Sequence, residues 1–328
     1  MANRKAQMSE AALQSEIRQP LGKNRHSLWI RIWQNKYMYL MFLPLLVFYI
    51  IFAYAPMGGI ILAFKNYSFG KGIWGSPWAD NFGLEHFIRL STHPEFLNAL
   101  KNTIVISFGR LIFEFPVPVI LALLINEIRG RKFKRVVQTI YTFPHFLSWI
   151  IIYGLLVNLF ASDGIYNQLI GLFGMEPVNI LGNPDAYKPF LFISNNWKEA
   201  GYSTIIYLAA ITGINPELYE AAKIDGANRW QLVKHITWPC IKPTVAIMLI
   251  LAVASMMSAG FDQIFNTYNA ATQDAGDIID TLVYRLQFVI GSNFGFTTAI
   301  GLFKSVVNLL LMLVANTIVK RITGKGIY

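Results

Sequence analysis

A few of the residues of this chain that are able to do chemistry lie where charge is expensive. Arg110 and Glu114 fall four apart inside an apolar stretch, so on a helix they share a face and can neutralise each other. Lys304 and Asn308 repeat that spacing in the last apolar stretch, a pattern that fits packing against another helix. Asn195, Asn196, Lys198 and Glu199 crowd around Trp197, and Asp262 sits near the end of a further stretch. An ionised group inside a bilayer faces protein or water rather than lipid, so each of these marks a structural pair or a polar path. None builds a catalytic constellation. No Gly-x-x-x-x-Gly-Lys-Ser/Thr loop is present to cradle nucleotide phosphates, and there is no His-Glu-x-x-His or Gly-x-Ser-x-Gly. The five histidines are scattered, with His145 beside Pro144 reading as a helix-interface residue. One cysteine, Cys240, leaves no intramolecular disulfide and no thiolate-based metal cluster. The chain is expected to hold no metal and no cofactor, and to catalyse no bond chemistry.

The elements that carry these residues follow from composition. Of 328 residues, 54% are hydrophobic and 14% charged, and mean hydropathy is +0.43; a soluble domain carries roughly 25% charged residues. Six apolar segments, at about 37–64, 100–126, 136–160, 190–213, 243–266 and 294–319, are each long enough to cross a bilayer as a helix. The fold class expected is therefore all-α, a polytopic membrane protein with six transmembrane helices. The polar, basic segment 1–36 precedes them, and Ser27–Lys36, with Trp29, Ile30, Ile32 and Trp33 among cations, reads as an interfacial helix. The +10 net charge is read as orientation rather than as a nucleic-acid partner. With a cytoplasmic N-terminus, nineteen of the 28 Lys and Arg fall in segments 1–36, 127–135, 214–242 and 320–328, against five in the outer segments. That asymmetry places both termini in the cytoplasm.

The connection 214–242 is too long for a bare turn between helices. Asn215-Pro216-Glu217 supplies an N-cap, a first-turn proline and a first-turn acid. A short helix through Leu218–Ala222 then stops at Asp225-Gly226. A second helix follows with Trp230, Val233 and Ile236 on one face, and Pro239 is expected to end it.

The run Glu220-Ala221-Ala222, then Gly226, Ile236, Trp238 and Pro239 resembles the EAA loop of ATP-binding-cassette importer permeases, with Trp238 where the family has leucine. Asp225-Gly226-Ala227 is similar to the sugar-importing branch. So are Asn126-Glu127-Ile128 and Thr142-Phe143-Pro144-His145-Phe146-Leu147-Ser148-Trp149, which look like permeases for polysaccharide-derived oligosaccharides such as alginate or other oligouronides.

The resemblance implies a type I permease core in a bacterial inner (plasma) membrane. In it Glu220, Ala221, Ala222, Asp225, Gly226, Ile236 and Pro239 form a coupling helix and its brace. Two ATPase subunits, carrying ATP and Mg, would dock at 214–242, beside a second homologous permease and an extracytoplasmic solute-binding protein. The outer segment 65–99, with Trp74 and Trp78, is a candidate contact for that protein. Around Trp197, Asn195 and Glu199 match positions that line the sugar site of maltose-type permeases, Glu199 replacing a glycine. Lys198 and Asp262 complete the proposed path, and Lys198 and Arg110 suit an acidic oligosaccharide. Ala259-Gly260 stands where the maltose-type protein has two asparagines, which points to a different or bulkier sugar. An importer of a neutral oligosaccharide, an ion-coupled secondary transporter and a non-transporting scaffold are the alternatives.

Overall fold

The computed structural model describes residues 28–291 and 293–324. Among them the structure is helical, with one isolated antiparallel bridge, Lys65 to Trp78, and no strand. The chain divides into two units, Met1–Gly59 and Ile60–Tyr328. In the first, α1 (Leu28–Gln34) and α2 (Lys36–Tyr49) are separated at Asn35. The Lys36 ammonium lies 5.0 Å from the Trp33 ring centre and 5.3 Å from that of Tyr37. Residues 1–27 of the expected basic segment lie outside the described residues.

The second unit contains α3 (Pro94–Phe113), α4 (Pro116–Asn126), α5 (Arg131–Thr142), α6 (Trp149–Phe160), α7 (Ile165–Leu172) and α8 (Pro184–Thr212). After α9 (Pro216–Ile224) comes α10 (Arg229–Ala254), then α11 (Phe261–Thr267), α12 (Ile279–Tyr284) and α13 (Phe294–Thr323). Five helical stretches are long and apolar enough to span a membrane: Lys36–Phe64, Pro94–Asn126, Trp149–Leu172, Arg229–Ala254 and Phe294–Ile322. Helix α8 has 29 residues, length enough to cross, and falls outside that set because Asn195, Asn196, Lys198 and Glu199 interrupt its apolar character.

Two expected spans are drawn differently. The helix read over 136–160 is two helices. Pro144 sits in a 3-10 turn, Phe143–Phe146, the backbone is extended at Leu147, and Ser148 then caps α6 by accepting from the Ile151 N–H at 3.4 Å. The span read over 243–266 begins at Arg229 and stops at Ala254. Pro239 ends nothing. A π-turn at Val233–Thr237 precedes it, and the proline enters the next α-turn without breaking the helix. The same device precedes Pro56, with a π-turn at Ile50–Tyr54. In both places the wider turn lies where a proline ring would strike the preceding carbonyl and where its missing N–H would leave an acceptor unpaired.

Buried apolar residues fall into groups along the helices. Phe96, Ile279, Leu282, Phe296 and Ile300 pack around one end of α3. Ile106, Tyr187, Leu191, Ile264 and Ile278 form a second group, and Val119, Ala122, Tyr207, Ile211 and Ile241 a third. Helix α5 approaches α8 at Gly201, where an added Cβ would overlap the Tyr141 carbonyl and come within 2.9 Å of the Thr142 nitrogen. Small residues permit such backbone approach between membrane helices. Gly201→Ala is therefore expected to cost about 1–3 kcal/mol, read as a lower unfolding temperature in detergent; an unchanged temperature would show that α5 can move aside.

The segment between Lys65 and His93 is held by polar contacts. The Lys65 ammonium donates to the carbonyls of Ile73 (3.1 Å) and Trp74 (2.9 Å), while Trp74 and Trp78 remain exposed. Glu85 Oε2 accepts from Asn66 Nδ2 and from the Asp80 N–H, both at 3.3 Å. The Asn66 bond, then the Asp80 bond, hold the Glu85 pKa below its ordinary 4.5. Their stabilisation is thus full above 4.5 and fades as pH falls through the lowered folded value. Hydrogen exchange at the Asp80 amide should be faster in Glu85→Gln than in wild type at neutral pH, and the difference should vanish in acid. A difference that persists unchanged in acid would contradict this.

Candidate functional site

A cavity of about 490 Å³ opens between α3–α4, α8 and the end of α10. Arg110 and Glu114 do pair, Nη1 to Oε2 at 3.4 Å, and both line the cavity rather than a closed helix interface. Arg110 Nη2 also donates to Gln263 Oε1 on α11 in a short hydrogen bond. Gln263 is itself fixed, its Nε2 donating to the Leu191 carbonyl (2.8 Å) and Ser194 Oγ (2.9 Å). Asn195 Nδ2 donates to Glu114 Oε2 at 2.5 Å, and Asn196 Nδ2 to the Phe113 carbonyl at 3.1 Å. These bonds leave three buried atoms on cavity-lining residues unpaired: Arg110 Nε, Glu114 Oε1 and Asn196 Oδ1. Buried polar atoms are rarely left so.

The opposite wall is broken backbone. After Ala254 the chain forms a 3-10 turn, Met256–Ser258, and then two left-handed residues, Ala259 (φ 44°) and Gly260 (φ 82°). Ser107 Oγ donates to the Met256 carbonyl in a short hydrogen bond, and the Met257 N–H donates to Asn308 Oδ1 at 3.1 Å. Irregular backbone at membrane depth is tolerated where it lines a cavity. Gly260 is needed twice over: its φ suits glycine, and an added Cβ would lie 2.6 Å from an Arg110 nitrogen. The Arg110 guanidinium rests against Gly260.

Glu199 lines the cavity, whereas Lys198 does not. Lys198 is 6% exposed. Its ammonium donates to Glu199 Oε1 (2.7 Å) and the His145 carbonyl (2.8 Å), and lies 5.8 Å from the Trp149 ring centre. His145 Nδ1 meets Glu199 Oε2 at 2.6 Å, and its ring stacks on Tyr202 at 3.9 Å. The proline-containing turn before α6 is thus tied to the cavity wall through Glu199. Trp197 is half-exposed and off the cavity, because at about 100° per residue it falls beyond the face that Asn195, Asn196, Glu199 and Ala200 present to it. Asp262 is exposed and also off it, while the adjacent Gln263 supplies the support for Arg110. The support that Gln263 gives Arg110 and the helix break at Ser255–Gly260 were not read from sequence, whereas Asn196 belongs to the polar run already noted around Trp197. Lys304 is bonded to Asp280 at 2.6 Å, in line with helix packing.

The segment 214–242 forms the expected helical pair. Asn215 Oδ1 accepts from the Glu217 N–H at 3.1 Å to cap α9. Gly226, at φ 81°, ends the helix, and the Ala227 N–H returns to the Ala222 carbonyl at 2.9 Å. Asn228 and Gln231 then cap α10 reciprocally, at 2.9 and 2.7 Å. Tyr219 Oη and Thr237 Oγ1, 2.9 Å apart, hold the two helices together, with Ile236 half-buried at their junction. Pro239 lies in α10 beyond the π-turn. Glu220, Ala221 and Asp225 are exposed, Ala222 is half-buried, and Ile224 (87% exposed) and Trp230 (73%) stand outward. Among the described residues Glu220 makes no ion pair, and no group of His, Cys, Asp or Glu is placed to hold a metal.

Long apolar helices, a cavity of mixed polar and apolar lining beside broken backbone, and a capped helix standing outward define an all-α membrane permease. The chain belongs to the family of binding-protein-dependent transport system inner membrane components, which matches residues 114–324. It is 44% identical over 307 residues to the polygalacturonan/rhamnogalacturonan transport system permease protein YteP of Bacillus subtilis, covering 93% of this chain and 94% of that protein. It is 38% identical to protein LplB of the same organism, covering 90% and 92%. A solved bacterial alginate ABC transporter, in complex with its alginate pentasaccharide-bound periplasmic protein, contains a chain 39% identical to this one with a TM-score of 0.83, covering 92% of this chain and 99% of that one.

Proposed function

We propose that this chain is one of two permease subunits of an ATP-binding-cassette importer, and that its cargo is a uronate-containing oligosaccharide released from a polysaccharide. The observation that carries the transport reading is the cavity with its few convergent polar side chains. Its wall sets the side chains of Arg110, Glu114, Asn195, Asn196 and Glu199 among apolar residues and against a broken helix, a mixture suited to the hydroxyls and apolar faces of a sugar. The uronate assignment is supported by the names of the relatives, which carry polygalacturonan, rhamnogalacturonan and alginate.

In this reading six helices cross the membrane, α8 being the one whose polar side lines the path, and both termini are cytoplasmic. Two ATPase subunits with ATP and Mg dock on 214–242, and α9 transmits their closure to the bundle through Tyr219–Thr237 and the continuous helix α10. An extracytoplasmic solute-binding protein delivers cargo at the opposite face. This chain hydrolyses no ATP.

Charge selection by Lys198 is not part of the proposal, because its ammonium is already occupied by Glu199 and the His145 carbonyl. The test is uptake of a labelled oligogalacturonide and a neutral oligosaccharide of equal length by the complete transporter in vesicles. ATP-dependent uptake of the uronate is expected. Uptake of the neutral sugar alone would overturn the substrate class, and uptake without ATP would overturn the importer. Lys198→Ala should reduce uptake of whichever oligosaccharide is carried by loosening Glu199 and His145; loss confined to uronates would restore a direct role.

A further inference from the structure

Helix α5 stands outside the cavity and carries a charge arrangement that transport does not explain. Arg129, Arg131, Lys132, Lys134 and Arg135 put five cations within seven residues. None of them makes an ion pair among the described residues, and the nearby Glu127 is engaged by Arg229 at 3.7 Å. The first turn of α5 contains no carboxylate to offset them. The helix has three faces. Lys134, Val137 and Gln138 are half-buried. Arg131, Arg135 and Thr139 form an exposed polar stripe, and Phe133 (63% exposed), Val136 and Ile140 (67%) form an exposed apolar stripe beside it.

An acidic protein would match the cations and leave three large apolar side chains unexplained. A leaflet containing anionic lipid offers both partners side by side, phosphates at the surface and acyl chains directly beneath. We propose that α5 binds anionic phospholipid headgroups, its cations at the phosphates and Phe133, Val136 and Ile140 among the acyl chains. In the proposed orientation this is the cytoplasmic leaflet. Because α5 touches α8 at Gly201 and leads into His145, which holds Glu199, the occupied lipid site bears on the cavity wall.

The test uses the full chain in its assembled transporter, purified in mild detergent and titrated with phosphatidylglycerol or phosphatidylcholine. Bound lipid is counted by native mass spectrometry and the unfolding temperature is followed. Wild type should retain phosphatidylglycerol in preference to phosphatidylcholine. In the variant Arg131→Gln/Lys132→Gln/Lys134→Gln/Arg135→Gln that preference should fall about tenfold or more. The variant Lys101→Gln/Lys188→Gln, which removes cations elsewhere, should keep it. Equal retention of both lipids by wild type, or an undiminished preference in the quadruple variant, overturns the proposal. So does loss of the ATPase from the quadruple variant with lipid preference intact, which would make α5 a protein-docking surface. Should the quadruple variant not fold, salt decides: at about 1 M, where the screening length is about 3 Å, the wild-type preference should disappear, and a preference indifferent to salt refutes the assignment.

Discussion

Glu220→Lys and Gly226→Val should each abolish most ATP-driven uptake while leaving membrane insertion and the lipid-embedded helices unchanged. Glu220 is exposed and makes no ion pair among the described residues, so reversing its charge disturbs nothing in the chain itself. Its effect must arise at a docked partner, where disrupting a desolvated charge pair costs about 2–5 kcal/mol. That corresponds to a fall in coupled uptake of about 30-fold or more. Gly226 acts differently. Open space surrounds the position of an added Cβ, so no clash results. The penalty is the left-handed φ of 81°, worth about 1–2 kcal/mol and more for a β-branched residue. The turn that returns Ala227 to Ala222 would open, and α9 would lose its fixed angle to α10. ATP hydrolysis measured beside uptake in vesicles separates the cases: hydrolysis retained with uptake lost indicates uncoupling. Wild-type uptake in both variants would remove the coupling role from this segment.

The second large effect concerns Arg110 and Glu114. Both side chains are largely buried, and Glu114 also takes the Asn195 amide. Arg110→Met strands the Glu114 carboxylate, and leaving one member of such a pair unmatched costs about 3–5 kcal/mol. The double variant Arg110→Met/Glu114→Leu removes both charges and should recover most of that loss, because apolar replacement of a buried pair is often neutral or better. Uptake should not recover with it, since two of the polar side chains lining the cavity are then gone. The decisive comparison is the unfolding temperature of the assembled transporter against its uptake rate. A double variant that is stable and transports normally would make the pair a structural tie and would shift the path elsewhere.

Much of this was legible along the chain. The apolar runs, the caps of α9 and the glycine after it obey local rules, in which a residue's own conformational preference decides its structure. Arg110 and Glu114 were readable as a pair because four residues make one helical turn. Their place on a cavity wall was not, since that depends on Gln263, 153 residues away, and on the left-handed Gly260. Asp262 and Gln263 illustrate the limit. They are adjacent, both polar and about a third of a turn apart, and the packing of α11 against Leu191 and Ser194 selects Gln263.

What the sequence determined by itself is therefore the membrane class, the helical character and the capped helix pair at 214–242, because burial in lipid and helix capping are local to a segment. Tertiary structure alone decided where the helices break and which polar groups meet. A proline may kink a helix, end it or pass within it behind a π-turn, and Pro144 and Pro239 took different courses because the neighbouring turns differ. Likewise a lysine in a span can face cargo or be neutralised. Lys198 is neutralised because the turn before α6 brings the His145 carbonyl to it, beside the carboxylate of Glu199, which no local pattern encodes.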